Sequence, residues 1–196
     1  MSFEQLRSDL GAALAAPRQD GPPWQSWSIA QVVAGIVEHY HRPLDEELAR
    51  LSPMMQKVLA VHGERHPELA GVSTAFGAVR NELRPHMRKE EDLLFPYLVS
   101  IEAARGGDTP AGALADPIAA MEHDHEVVGR GLAALRELTG GYRPPADACN
   151  TFRGLYHGLE ELERSVHEHV HVENNILFPL AARIAAALEE SAHARA

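Results

Sequence analysis

One spaced pattern occurs twice in this chain and restricts what it can fold into. His86-Met87-Arg88-Lys89-Glu90 is followed by Leu94-Phe95-Pro96, and His169-Val170-His171-Val172-Glu173 is followed by Leu177-Phe178-Pro179. In each copy a His precedes a Glu by four residues, and Leu-Phe-Pro begins four residues after that Glu. On an α-helix, positions i and i+4 share a face, so each stretch points an imidazole and a carboxylate the same way. Two helices equipped like this can hold metal between them.

Around these stretches, four segments carry apolar residues at alternating spacings of three and four, the stripe of a bundle helix. The spacing predicts helices over 29–51, 73–103, 114–139 and 147–188, the first with Ser28 as its N-cap. The expected stripes are Val33, Val37, His41, Leu44, Leu48 and Leu51; Phe76, Val79, Leu83, His86, Glu90, Leu93 and Tyr97; Leu114, Ile118, Met121, His125, Val128, Leu132 and Leu135; and Phe152, Leu155, Leu159, Leu162, Val166, His169, Glu173, Ile176 and Leu180. No strand pattern competes. His41 precedes His86 by 45 residues and His125 precedes His169 by 44, so each half reads as a helical hairpin with one His, then His-x3-Glu. Two such hairpins face to face give an all-α, up-down-up-down four-helix bundle over residues 29–190. Residues 1–28 read as an N-terminal extension and linker: a short amphipathic helix over 2–16, a break at Pro17, then Trp24 and Trp27 as aromatic anchors.

The stripes place His41, His86, Glu90, His125, His169 and Glu173 where leucines sit one turn away. A buried unpaired carboxylate costs several kcal/mol, and a buried imidazole needs partners on its ring nitrogens. A pair of cations resolves the conflict. A single His-x3-Glu on a helix is usually a solvated pair. Two copies in core stripes, each matched by an earlier stripe His, are not explained that way. His39, His123, His167 and His171 lie two positions from a stripe His and so on other faces, while His66, His157 and His193 fall off the pattern. Ser52-Pro53 reads as a helix stop and restart, which would turn the chain back and bring His62 toward the level of His41. Pro85, Pro96 and Pro179 lie inside expected helices and each removes a hydrogen bond. Glu82, one turn before His86, is either an outer partner of that imidazole or a solvated residue. Cys149 reads as a half-buried thiol at a helix start.

Composition narrows the partners. The formal net charge of −10 argues against a nucleic-acid phosphate backbone. A single cysteine excludes a disulfide framework within one chain and a Cys-ligated zinc or iron–sulfur centre. No signal pattern or membrane-length apolar run is present, which makes the cytoplasm the expected location, with no membrane partner.

The paired His-x3-Glu motifs, with single histidines on the alternate helices, resemble the hemerythrin-like (HHE cation-binding) bundle. Finer features resemble the di-iron RIC (repair of iron centres) family: Tyr40-His41-Arg42-Pro43-Leu44, Val61-His62-Gly63, His86-x3-Glu90-Glu91, Met121-Glu122-x-Asp124-His125-Glu126 and His169-x3-Glu173-Asn174-Asn175. That resemblance covers about residues 29–185. It implies two iron ions joined by an oxo or hydroxo bridge and held by His41, His62, His86, His125 and His169, with Glu90 and Glu173 bridging. With five imidazoles, one coordination position stays open for a small diatomic, nitric oxide or oxygen. The implied function is a response to nitrosative or oxidative stress: binding nitric oxide, reducing it, and supplying iron for iron–sulfur cluster repair in partner proteins. The family's preceding Cys-Cys-Gly-Gly domain has no counterpart in residues 1–28. Two rival readings fit the same residues: an oxygen- or nitric-oxide-binding sensor without turnover, and a bundle stapled by zinc or manganese.

Overall fold

The computed structural model describes residues 22–103 and 114–193. The expected helix over 2–16 and the Gly106–Pro110 break lie outside the described residues. Among the described residues there is no strand, and no helix is long and apolar enough to cross a membrane.

The chain enters through a short 3-10 turn, Trp24–Ser26, and Ser28 then caps the first helix. The cap is reciprocal: Ser28 Oγ accepts the Gln31 N–H, and Gln31 Oε1 accepts the Ser28 N–H. Glu102, far along the chain, accepts the N–H groups of Ile29 and Ala30 at 2.9 and 3.1 Å. Four of the N-terminal donors and neighbours that a helix start leaves open are thereby satisfied. Gly35 gives the two tryptophans their seat, because a Cβ there would lie 2.6 Å from Trp24 and 2.7 Å from Trp27.

Four rods follow. The first is α1 (Ile29–Ile36), a π-helical turn (Val37–His41) and α2 (Arg42–His62). The second is α3 (Glu68–Lys89), a π turn (Glu90–Leu94) and α4 (Phe95–Ala103). The third is α5 (Ala115–Leu138), α-helical throughout. The fourth is α6 (Asn150–Val172), a π turn (Glu173–Leu177) and α7 (Phe178–His193). Packing of α2 on α3 and α6, and of α5 on α3 and α6, closes the four into the expected up-down-up-down bundle. A left-handed run ends α5, and it falls on Gly140 (φ 59°), Gly141 (φ 77°) and Tyr142 (φ 58°).

Two apolar clusters fill the bundle, one on each side of a polar layer. The larger holds Leu44, Leu48, Leu51, Phe76, Leu83, Leu132, Leu159 and their neighbours. The smaller holds Ile29, Ile36, Leu94, Phe95, Leu98, Leu177 and Phe178 among others. In the larger cluster the expected stripes hold. In the smaller one they are displaced by one residue: Val32 and Ile36 are buried rather than Val33 and Val37, Leu94 and Leu98 rather than Leu93 and Tyr97, Leu177 and Ala181 rather than Ile176 and Leu180. Leu93 is 67% exposed. The cause is the π turn, whose extra residue rotates everything beyond it by about 100°. The third rod has no π turn, and Met121, His125, Val128, Leu132 and Leu135 keep an unbroken rhythm.

Each π turn ends two residues before a proline, at Pro43, Pro96 and Pro179. A proline has no N–H to donate and its ring crowds the carbonyl four residues back; the wider turn ahead of it gives that ring room. Pro85 and Pro53 sit instead inside α-helix. The expected stop at Ser52-Pro53 does not occur, and α2 runs on to His62. An interior proline costs about 3 kcal/mol. Beyond it, Met55 and Val58 are all but fully buried, each worth roughly 1.5–3 kcal/mol, and the continued helix keeps them on the Leu51 stripe. Burial outweighs the break. The second rod likewise begins at Glu68, earlier than the expected 73.

Candidate metal centre

The polar layer consists of His41, His86, Glu90, His125, His169 and Glu173, none more than 6% exposed. His41 is the last residue of the first π turn, while Glu90 and Glu173 are the first residues of the other two. His86 and His169 lie one α-turn before those carboxylates, and His125 comes from the uninterrupted α5. All four rods therefore contribute at one level, between the two apolar clusters.

Their donor atoms form two quartets: His41, His169, Glu90 and Glu173, and His86, His125, Glu90 and Glu173. Within each, the donor atoms lie within 4.8 Å of one another. Both carboxylates belong to both quartets. Glu173 spans them, with Oε1 at 2.9 Å from His169 Nε2 and Oε2 at 3.1 Å from His125 Nε2. Glu90 Oε2 lies 3.3 Å from His86 Nε2 and 3.5 Å from His41 Nε2.

Several observations test whether a metal pair fits. The paired Nε2 atoms are 3.0 Å apart for His41 and His169 and 3.1 Å apart for His86 and His125. Two nitrogens at right angles around one ion, each about 2.1 Å from it, would be about 3 Å apart. His41 Nδ1 faces the Glu91 carboxylate at 2.7 Å, and His125 Nδ1 faces Asn174 Oδ1 at 3.1 Å. A neutral imidazole has one N–H; donated outward through Nδ1, it leaves Nε2 as a bare lone pair aimed into the layer. Both Glu90 oxygens and Glu173 Oε2 are buried without a hydrogen-bond partner; the last is close to His125 but not aligned with it. Orphaned carboxylate oxygens of this kind are costly unless a cation meets them. The six residues fit a metal pair.

The protonation tendencies agree. Burial holds the His41 and His86 imidazoles below their ordinary value, His86 down to about 3, and the facing His169 and His125 add to the effect. Burial pushes the Glu90 carboxyl well above its ordinary range, with the Glu173 charge adding to it. Burial opposes ionisation of Glu173 as well, yet His169 and His125 hold it well below the usual carboxylate range. Neutral imidazoles beside a crowded carboxylate pair are what a cation site looks like before a cation enters it.

His62 is not brought to this layer. It ends α2, 21 residues after His41 along one continuous helix, roughly 30 Å away. Its Nε2 lies 3.2 Å from Cys149 Sγ, its ring faces Phe152, and it is 4% exposed. The turn at Ser52-Pro53 that would have returned it does not form, so His62 does not join either quartet. Cys149 does sit at a helix start, as the N-cap of α6, but is exposed rather than half-buried. Met121 is buried one turn before His125, an apolar residue in the layer's shadow. Glu82 is exposed, the solvated outcome of its two expected roles. His39 and His123 are exposed, and His66, His167 and His171 are partly buried on other faces.

The outer partners of the histidines lie off the apolar stripes. Glu91 and Asn174 directly follow the two buried glutamates, and each turns to a histidine of its own hairpin. Asp124 Oδ2 lies 3.6 Å from His86 Nδ1 and is bonded to Lys89 Nζ at 2.6 Å. On an ideal helix, neighbours point about 100° apart. The signal available was the repeat itself, which aligns Glu91 with Asn174.

Two comparisons bear on this arrangement. The profile of the Hemerythrin HHE cation binding domain matches residues 32–181. The chain is similar to proteins named iron-sulfur cluster repair protein YtfE from Pectobacterium atrosepticum, 37% identical over 183 residues, and Yersinia pseudotuberculosis, 36% identical over 183 residues. Each alignment covers 93% of this chain and 79% of the relative.

Proposed function

This chain belongs to the hemerythrin HHE cation-binding family, among its repair-of-iron-centres (RIC) members, and on that premise we propose that it carries a di-iron centre serving iron–sulfur cluster repair under nitrosative stress. The observation that carries the reading is the pair of quartets sharing Glu90 and Glu173. His41 and His169 would hold one ion, His86 and His125 the other, and the two glutamates would bridge. His62 is left out of this set. When bound, an iron pair supplies Lewis-acid and one-electron chemistry toward a small diatomic molecule.

The chain's own residues do the rest. The leucines and phenylalanines on either side of the layer exclude water and fix the six side chains. Glu91 and Asn174 set the tautomers of His41 and His125. Beside the layer, Phe95 stacks on His41 with ring centroids 5.5 Å apart. Outside it lies a hollow of about 330 Å³ lined by Val33, Val37, Phe95, Pro96, Val99 and Glu91. A second hollow of about the same volume is lined by His41 itself together with Arg42, Asp45, Arg84, Arg88 and Glu91. The relatives' printed role supports iron–sulfur proteins as the recipients of iron.

Metal analysis of the isolated protein should find two irons per chain, with near-ultraviolet and visible absorption from the ferric pair. A colourless protein holding zinc overturns the iron reading. Anaerobic nitric oxide addition should perturb the spectrum; nitrous oxide release marks reduction, and its absence restricts the role to binding.

A further inference from the structure

The two quartets have the same kinds of donor, two imidazoles and the same two carboxylates. Any inequality between them has to come from outside. The internal repeat supplies one. Directly after each buried glutamate, a side chain reaches back to the Nδ1 of a histidine on the neighbouring rod: Glu91 Oε1 to His41 at 2.7 Å, Asn174 Oδ1 to His125 at 3.1 Å. The positions correspond, but one is a carboxylate and the other an amide.

The charges nearby widen the difference. Arg42, Arg84 and Arg88 line the same hollow as Glu91, but among the described residues none forms an ion pair with it, and its direct partner is His41 at 2.7 Å. Asp124, the carboxylate nearest His86 on the other side, stands 3.6 Å from Nδ1, beyond a hydrogen bond, and Lys89 offsets its charge from 2.6 Å. The fourth imidazole, His169, has no hydrogen-bond partner at Nδ1. One quartet therefore faces a carboxylate at hydrogen-bond distance, and the other faces an amide and a carboxylate already paired with a lysine. A carboxylate accepting the far N–H of an imidazole makes the near nitrogen a stronger donor, and such partners typically change metal affinity 10- to 100-fold.

We propose that the two metal positions are unequal: Glu91 makes the His41–His169 position the tighter, and the His86–His125 position gives up its ion first. The inference rests on the two-ion reading above. Glu91 acts as a positioning residue, through His41 rather than on the metal. The inequality suits a protein that releases one ion while the other keeps the buried layer neutralised.

The test is removal of iron from the full-length protein, loaded anaerobically with ferrous ion alone, by excess chromogenic chelator. Wild type should lose its two ions in two phases. Glu91→Gln keeps an acceptor but removes the charge, and should speed the slow phase about 10- to 100-fold while leaving the fast phase alone. Asn174→Asp should slow the fast phase. A merely structural role would instead lower the melting temperature of the metal-free variants, which is expected to stay at the wild-type value. Two ions lost in one phase from wild type, or an unchanged slow phase in Glu91→Gln, overturns the inference and leaves the two-ion reading standing. Uptake of fewer than two ions by wild type overturns both.

Discussion

The two apolar halves of the bundle are built by different rules, although they share four rods and one axis. In the half that runs toward His62, buried residues recur at three and four without interruption, as in Leu44, Leu48, Leu51, Met55 and Val58. In the half that runs toward Trp24, three of the four rods have passed through a π turn, and their buried faces are displaced by one residue. The polar layer is the seam between these halves. A regular α-helix presents neighbouring core residues in a fixed rhythm. The extra residue of a π turn lets a rod satisfy the apolar half on one side, deliver an ionisable group at the seam, and resume packing on the other. The cost of the seam falls on the six buried polar groups, and the apolar clusters on both sides hold them in place.

The largest effect should come from the seam itself. Glu173→Ala removes the group that spans both quartets, and metal analysis is expected to find neither ion retained. Retention of both would break the seam's claimed role. The next effect separates the halves by register. Leu98→Ala opens a cavity at a fully buried site and should cost about 2–5 kcal/mol in denaturant unfolding, whereas Leu93→Ala at an exposed site should stay within about 0.5 kcal/mol. The opposite ranking would mean that the stripe runs through the seam without displacement.

Acid should act on the seam in the metal-free protein. His86 is held at about 3 when folded, against 6.5 for the ordinary imidazole, so between those values the unfolded chain binds the extra proton. Stability from this group is fully present above pH 6.5 and is lost as pH falls toward 3, by up to about 1.4 kcal/mol per pH unit. Melting temperature against pH, compared between wild type and His86→Leu, checks it: the variant should lose part of the slope.

Proline placement gives a smaller contrast. Pro53→Ala relieves an interior proline in α-helix and should stabilise by about 1–3 kcal/mol in denaturant unfolding. Pro179→Ala, behind a π turn that already accommodates the ring, should change stability by less. Smallest of all, His62→Ala should leave iron content at the wild-type value, because His62 lies at the far end of α2. Loss of an ion from that variant would return His62 to the centre.

The six residues of the layer were legible because the pattern His-x3-Glu is local: i and i+4 share a face on any helix, whatever surrounds it. The same locality explains the errors. A fixed period puts Val33, Leu93 and Ile176 on the stripes, but it crosses positions where the backbone gains a residue. That gain was visible in the spacing, since Ile36 to His41 is a step of five, but nothing local marks a step of five as a π turn. Ser52-Pro53 reads locally as a stop that would return His62, and the family resemblance implies the same ligand; burial of Met55 and Val58 against the other rods instead keeps the helix going to His62.

By itself, then, the order of residues determined helix against strand, the count of rods, the hairpin repeat and the identity of the inward-facing donors. All of these depend on contacts within a few residues. Tertiary structure alone decided where the helices widen, which of two adjacent side chains is buried, and whether a distant histidine reaches the donors. Those outcomes weigh backbone hydrogen bonds against apolar area supplied by other rods, and the second quantity is not written in any one segment.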